Sequence, residues 1–285
     1  KYLLAERRTR KSYQPIPIFN NNIWDVPFIT RTMAFSSSFW QIVESTRSYR
    51  MVNFSSQAMS MKTLVDIDFW DVKVVSEDSK QYYRAMFKYE GDHEVIPLLT
   101  PVYMDAVLSG SLWETMKAQY LQKRRWAWGI EHFPYMVVAS LNDKKIGWWR
   151  KIVETSRILD GHFSWATGSL FVLTAAWFPF LMNGRFSESP LSFYLPFWAS
   201  RLLTISWLGL FISMGISFLM LPPKPPKYGH LSYLEMVLTW LVVPINSSIF
   251  GSLPALDAQT RLFLGKYLGF YVTEKKVKKY LQSDK

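Results

Sequence analysis

Two stretches without a single Asp, Glu, Lys or Arg set the strongest limit on what this chain can fold into. They are 161–184, bounded by Asp160 and Arg185, and 202–223, bounded by Arg201 and Lys224. Each is as long as the ~20 residues a helix needs to cross the hydrocarbon core of a bilayer. Neither shows a polar face at helical spacing, as a helix packed in a soluble core would. Spans are expected at 163–184 and 202–222. A third run, 236–256, contains Pro244, Asn246 and Pro254, and is expected either to span or to kink and re-enter.

The flanking residues give an orientation. In 141–162, Trp148 and Trp149 stand beside Arg150 and Lys151, and apolar residues recur every three to four positions. That pattern suits an amphipathic helix lying in the membrane interface, with an ordinary surface helix as the alternative. Lys144, Lys145, Arg150, Lys151 and Arg157 precede the first run, whereas Arg185 beyond it is offset by Glu188. The excess of positive charge puts residues 1–160 in the cytosol. The tail 257–285, with Arg261, Lys266, Lys275, Lys276, Lys278 and Lys279, is basic as well and is expected on the same side. Both ends on one side fit a re-entrant or interfacial third run, or else one more crossing near 193–200.

Aromatic residues make up 17% of the chain and charged residues only 19%, most of them in the first 160 positions. A polar part followed by a membrane part accounts for this. Within 1–140, Leu64, Val65 and Ile67 and then 72–75 read as short strand or turn segments, 79–89 as an amphipathic helix, 94–99 as strand and 112–128 as helix. The alternation points to an α/β layer. The chain has no cysteine, which excludes disulfides and thiolate metal sites, and its four histidines lack metal-ligand spacing. The net charge of +11 suits phosphate-bearing ligands, anionic lipid or nucleic acid equally well. The basic stretch from Arg7 to Lys11 reads as a solvated linker.

Three places can carry chemistry. Ser76, Glu77 and Asp78 end one apolar segment and open a helix, so Asp78 is either a positioned base or a helix cap. Gln122 and Arg125 lie three apart on one helix face, where an amide and a guanidinium can hold phosphate oxygens, and Trp126 adds a surface for a sugar ring. A solvated basic face is the plain alternative. Phe270, Val272, Thr273 and Lys275 form a third short motif within the basic tail.

In this order the three motifs resemble the cellulose and hyaluronan synthase-like branch of the integral-membrane family-2 glycosyltransferases. Those enzymes carry Thr-Glu-Asp, then Gln-x-x-Arg-Trp at the membrane edge, then a gating loop of the form Phe-x-Val-Thr-x-Lys. The resemblance implies an α/β cytosolic domain that is a partial GT-A-like, Rossmann-like unit (1–140), an interfacial helix (141–162), a transmembrane region (163–256) and a tail carrying the loop (257–285). It implies an inverting transferase that moves a sugar from a nucleotide-sugar donor, a UDP-sugar, to a glycan or lipid-linked acceptor at the cytosolic face. Asp78 would be the base and Glu77 its acidic neighbour. Gln122 and Arg125 would contact the diphosphate, and Trp126 the acceptor. Phe270, Thr273 and Lys275 would close over the nucleotide. Ser76 replaces the family's Thr and keeps the hydroxyl.

The family also uses Mg²⁺ or Mn²⁺ on an Asp-x-Asp pair that lies well before the base. Asp66 and Asp68 have the right letters but stand too close to Asp78, and 67–71 is read as an acceptor-side turn instead. Lys1 is not an initiator Met, and the first residues read as the interior of a longer protein. The metal ligands and the donor-reading residues are therefore expected in an N-terminal half that precedes this chain. The alternatives from other classes are a non-enzymatic membrane scaffold or transporter component, and a catalytically incomplete fragment.

Overall fold

The computed structural model describes residues 2–175 and 178–273. The polar part is a mixed α/β unit built on a three-stranded sheet of order β2-β1-β3. Its central strand β1 (Lys11–Ile18) runs parallel to β3 (Glu94–Tyr103), from Lys11 opposite Glu94 to Ile18 opposite Tyr103. The two-residue β2 (Ala58–Met59) pairs antiparallel on the other side. Between β1 and β3 the chain forms α1 (Phe28–Ser45), α2 (Met61–Asp66) and α3 (Glu77–Lys88). Then follow α4 (Leu112–Ala127), α5 (His132–Asn142) and α6 (Trp148–Thr174).

Because β1 and β3 are parallel and end together, their outgoing loops leave from one edge of the sheet. A buried amide stitches these loops. Asn22 Nδ2 donates to the Ala106 carbonyl at 3.0 Å, and Asn22 Oδ1 accepts from the Ala106 N–H at 2.8 Å. The Asn22 side chain thus extends the strand pairing beyond the sheet and fixes the rim of a crevice at the strands' carboxyl ends, where ligands of parallel sheets bind.

Among the described residues, two helices are long and apolar enough to cross a membrane: α8 (Pro190–Leu219) and the final helical run Leu231–Phe263, with mean hydropathies of 2.0 and 1.6. Their surroundings differ. Only 6% of the apolar window of α8 is buried, against 39% for the final run. The bare helix exposes Leu202, Ile205, Leu208, Phe211 and Ile212, a surface suited to hydrocarbon.

The final run is fastened to the polar part along its length. Buried Arg31 of α1 donates to the carbonyls of Ile23 and Val26 at 3.2 and 3.0 Å, and pairs with Glu235 of the run at 3.1 Å. Asn246 donates to Thr32 Oγ1 at 2.6 Å. Ser169 of α6 meets Ser252 at 2.7 Å and Ser248 at 3.1 Å. Such short hydroxyl and amide contacts hold apolar helices together where hydrophobic burial gives little drive.

Several expectations change. Of the strand or turn expected over 72–75 the chain forms a turn, and the Val75 N–H is bonded to a side chain rather than to a ladder. Leu64 and Val65 are helical, in α2. The interfacial segment and the first apolar run are not separate. Trp148–Thr174 is one helix that stops well short of residue 184, and after it come the short α7 (Phe178–Met182) and a 3₁₀ turn. Among the described residues, no span-length helix therefore occupies 163–184 alone.

The second run starts earlier than its charges indicate. Ser189 Oγ accepts from the Ser192 N–H and Pro190 opens the helix, so Arg201 lies inside it. The third run stays helical through Pro244 and Pro254, with a 3₁₀ turn at Thr239–Val242 and a wide π turn at Ser247–Ser252. Each irregular turn directly precedes a helical segment opened by one of the prolines, which have no N–H to give the preceding turn.

The two faces of α6 differ in burial. Glu154 and Ile158 are buried against the polar part, while Trp148, Trp149, Ile152, Leu159 and Phe163 face outward.

Candidate active site

The site is assembled on α4, whose last turn points successive side chains to different walls. Gln122 and Trp126 line the crevice at the carboxyl ends of β1 and β3, together with Phe19, Ser37, Asp105 and Gln119. Gln119 Nε2 reaches Gln122 Oε1 at 3.5 Å, and Trp126 lies against Phe19 with ring centroids 5.9 Å apart. Arg124 turns away and pairs with Asp257 of the final run at 2.8 Å, which ties α4 to the membrane part. Arg125 faces the loop that carries Asp78, and its guanidinium lies 5.0 Å from the centroid of Phe270.

Asp78 sits in the first turn of α3, with Oδ1 accepting from the Ser79 N–H at 2.8 Å. Burial pushes its carboxyl above the ordinary aspartate range. The Ser79 bond and the Arg125 charge oppose this, and neighbouring Glu77 adds to it. Among the described residues, Asp78 makes no ion pair or direct hydrogen bond with Arg125, Gln122 or Trp126. Asp78 and Arg125 therefore feel each other's charge without contact, while Gln122 and Trp126 stand round the helix in the adjoining crevice.

The loop before α3 is fixed by a residue that sequence reasoning passed over. Glu131 Oε1 accepts from the N–H groups of Val75 at 3.2 Å and Ser76 at 3.0 Å, and Oε2 accepts from Trp128 Nε1 at 3.0 Å. One carboxylate thereby clamps the Ser76-Glu77-Asp78 loop to the chain that leaves α4. Burial raises the Glu131 carboxyl, and the two backbone donors and Trp128 offset part of that. Local sequence gives no signal for this role, because the backbone donors of the clamped loop are more than fifty residues away.

His132, next in the chain, bonds Ser79 Oγ at 2.8 Å. Burial holds its imidazole down to about 3. His93, which meets Ser12 Oγ at 3.1 Å and the Arg10 carbonyl at 2.7 Å, is held down to about 4 for the same reason. Both rings are neutral in the fold and take up protons when it opens. The stability they give is complete above the ordinary histidine value of about 6.5 and is lost as pH falls from there toward 4 and below. Thermal melting followed from pH 7 to pH 4.5 should show a steady fall in Tm, and His132→Gln should flatten it. A melting temperature that does not change over that range would remove the neutral-histidine account.

The third motif returns to the same place. After the final run, Tyr267 donates to the Lys73 carbonyl at 3.1 Å and packs edge-on against Trp128, with centroids 6.1 Å apart. Gly269, at a φ of 71°, makes the turn that sets Phe270 over Arg125. Thr273 Oγ1 is buried and has no partner within the described residues. Lys275 lies outside them.

The Asp66 and Asp68 pair does not fit a divalent ion. Asp66 Oδ2 accepts from Lys62 Nζ at 2.9 Å and from the Tyr89 hydroxyl at 2.7 Å, so the oxygen a metal needs already faces two donors. Asp68 and Phe69 take consecutive left-handed conformations, φ 58° and 52°, in a turn held by Gln81 and Arg84 of α3. No group of three or more acidic or histidine side chains with metal-binding geometry occurs among the described residues. Neither a family model, nor a curated protein, nor a solved structure matches this chain.

Proposed function

We propose that this chain forms the acceptor-side and membrane-facing part of an inverting glycosyltransferase of the family-2, cellulose and hyaluronan synthase-like kind. A UDP-linked sugar would be transferred to a glycan or lipid-linked acceptor at the cytosolic face of a membrane. The observation that carries the reading is the convergence of three distant segments: the Asp78 loop, the Arg125 guanidinium at the end of α4, and Phe270 from the tail that lies on that guanidinium.

In this reading the polar part is a partial GT-A-like unit. The acceptor ring lies on Trp126, and Asp78 takes the proton from the acceptor hydroxyl as that oxygen attacks the anomeric carbon from the face opposite the leaving diphosphate. Arg125, with Gln122, neutralises the charge that develops on the diphosphate. Phe270 and Thr273, with Lys275 beyond them, belong to the segment that covers the nucleotide. Glu77 keeps the neighbourhood of Asp78 acidic. No step is drawn through Asp66 or Asp68, whose surroundings do not suit Mg²⁺ or Mn²⁺.

Calorimetric titration of the full-length protein with UDP tests the reading directly. Wild type should bind, and Arg125→Ala should weaken binding about tenfold or more, the effect of one charge-assisted contact. A protein that gives no heat with UDP, with or without Mn²⁺, belongs instead to the class of membrane scaffolds.

A further inference from the structure

The helix α8 is longer than a bilayer requires, and one of its ends is held. Asn20 Nδ2 donates to the Met220 carbonyl at 2.8 Å and Trp24 Nε1 to the Pro222 carbonyl at 3.1 Å, so the carboxyl end of the helix is fastened to the polar part. A helix of 30 residues is about 45 Å long, whereas the hydrocarbon core takes only about 20 residues. Counted back from the held end, about the first ten residues of α8 project past the hydrocarbon on the side away from the polar part. The uncharged run gives the same boundary, because it begins just after Arg201.

At that boundary one face of the helix carries a cation among aromatic rings. Tyr194, Phe197, Trp198 and Arg201 recur at intervals of three and four, so they share a face, and all four are exposed. The Arg201 guanidinium lies 5.1 Å from the centroid of Phe197 and makes no ion pair among the described residues. Exposed Ile205, Leu208 and Ile212 continue the same stripe toward the held end, over about 17 Å, close to half the thickness of a hydrocarbon core. Leu210, Met214 and Phe218, which pack against the core of the protein, lie on the opposite side of the helix. The stripe therefore faces away from the protein. We propose that Arg201, with Tyr194 and Trp198, binds the headgroup phosphate of a phospholipid in the leaflet farther from the polar part, with an acyl chain along Ile205, Leu208 and Ile212. Tyr and Trp suit headgroup depth, and a guanidinium presents two parallel N–H donors that match two phosphate oxygens. The phosphate also supplies the countercharge that no acid among the described residues gives to Arg201, at a depth where an unpaired charge is costly.

The test is native mass spectrometry of the purified full-length protein in detergent, titrated with phosphatidylglycerol and, separately, with a diacylglycerol of the same acyl chains. Wild type should hold phosphatidylglycerol about tenfold more tightly, the effect of one charge-assisted contact. Arg201→Gln should remove that preference, and Arg201→Lys should keep part of it. Arg185→Gln loses the same charge from the turn before α8, off the stripe, and should leave the preference unchanged. Equal binding of the two lipids by wild type, a preference that survives Arg201→Gln, or one that Arg185→Gln removes as fully, overturns the proposal. So does a dimer that Arg201→Gln splits while neither lipid is preferred, which assigns the stripe to a second copy of the chain. The lipid site stands or falls independently of the transferase reading.

Discussion

Asp78→Asn in the full-length protein is expected to lower sugar transfer by about a thousandfold, the usual contribution of a positioned general base. It should also leave the protein at least as stable as wild type. The two effects have one cause. Burial raises the Asp78 carboxyl, so the folded state favours its protonated form. A carboxyl raised in the fold adds stability only below its unfolded value, and that contribution is lost as pH rises through the folded value. At pH 7 the ionised group is therefore a net cost. Asn is neutral and nearly isosteric, and it removes the cost together with the base. Sugar incorporation from a labelled nucleotide sugar, read beside the melting temperature in detergent, separates this from simple unfolding. The acid limb of wild-type transfer should lie above about 4, the ordinary aspartate value. If the mutant retains wild-type turnover, Asp78 has no part in the mechanism.

Glu131→Ala is expected to be the most damaging single change outside the reacting groups, costing about 2–4 kcal/mol and a large part of any transfer activity. The substitution removes one acceptor from three donors at once: the N–H groups of Val75 and Ser76, and the Trp128 indole. Val75 and Trp128 are almost fully buried, so water is a poor substitute. The loop carrying Asp78 would be released from α4, and with it the spacing between Asp78 and Arg125. Glu131→Gln keeps one carbonyl oxygen for the backbone donors and loses the acceptor for Trp128, so it should restore much of the stability. Denaturant unfolding of the three proteins gives the order wild type, Gln, Ala. If Ala and Gln are equally stable, the clamp account fails.

The sequence was most informative where the signal is local. Periodicity located the helices that became Glu77–Lys88 and Leu112–Ala127, and the strand within Glu94–Tyr103. It failed where a partner from far along the chain overrode local pattern. Residues 72–75 read as strand or turn and form a turn, with the Lys73 N–H on the Asp71 carboxylate and the Val75 N–H on that of distant Glu131. The uncharged run at 161–184 looks like one span, but its first half continues a helix that begins at Trp148.

By itself the sequence determined a polar α/β part, one apolar helix fit for a bilayer over most of 202–222, and three short motifs in a fixed order, because hydrophobic spacing and charge exclusion act over a few turns of chain. Only the tertiary structure decided that Phe270 lies over Arg125, that Glu131 fixes the loop before Asp78, and that Lys123 is buried with no ion-pair partner among the described residues. Those facts depend on which long-range contacts close, and hydrogen-bond donors and charges separated by dozens of residues leave no periodic trace in the chain that carries them.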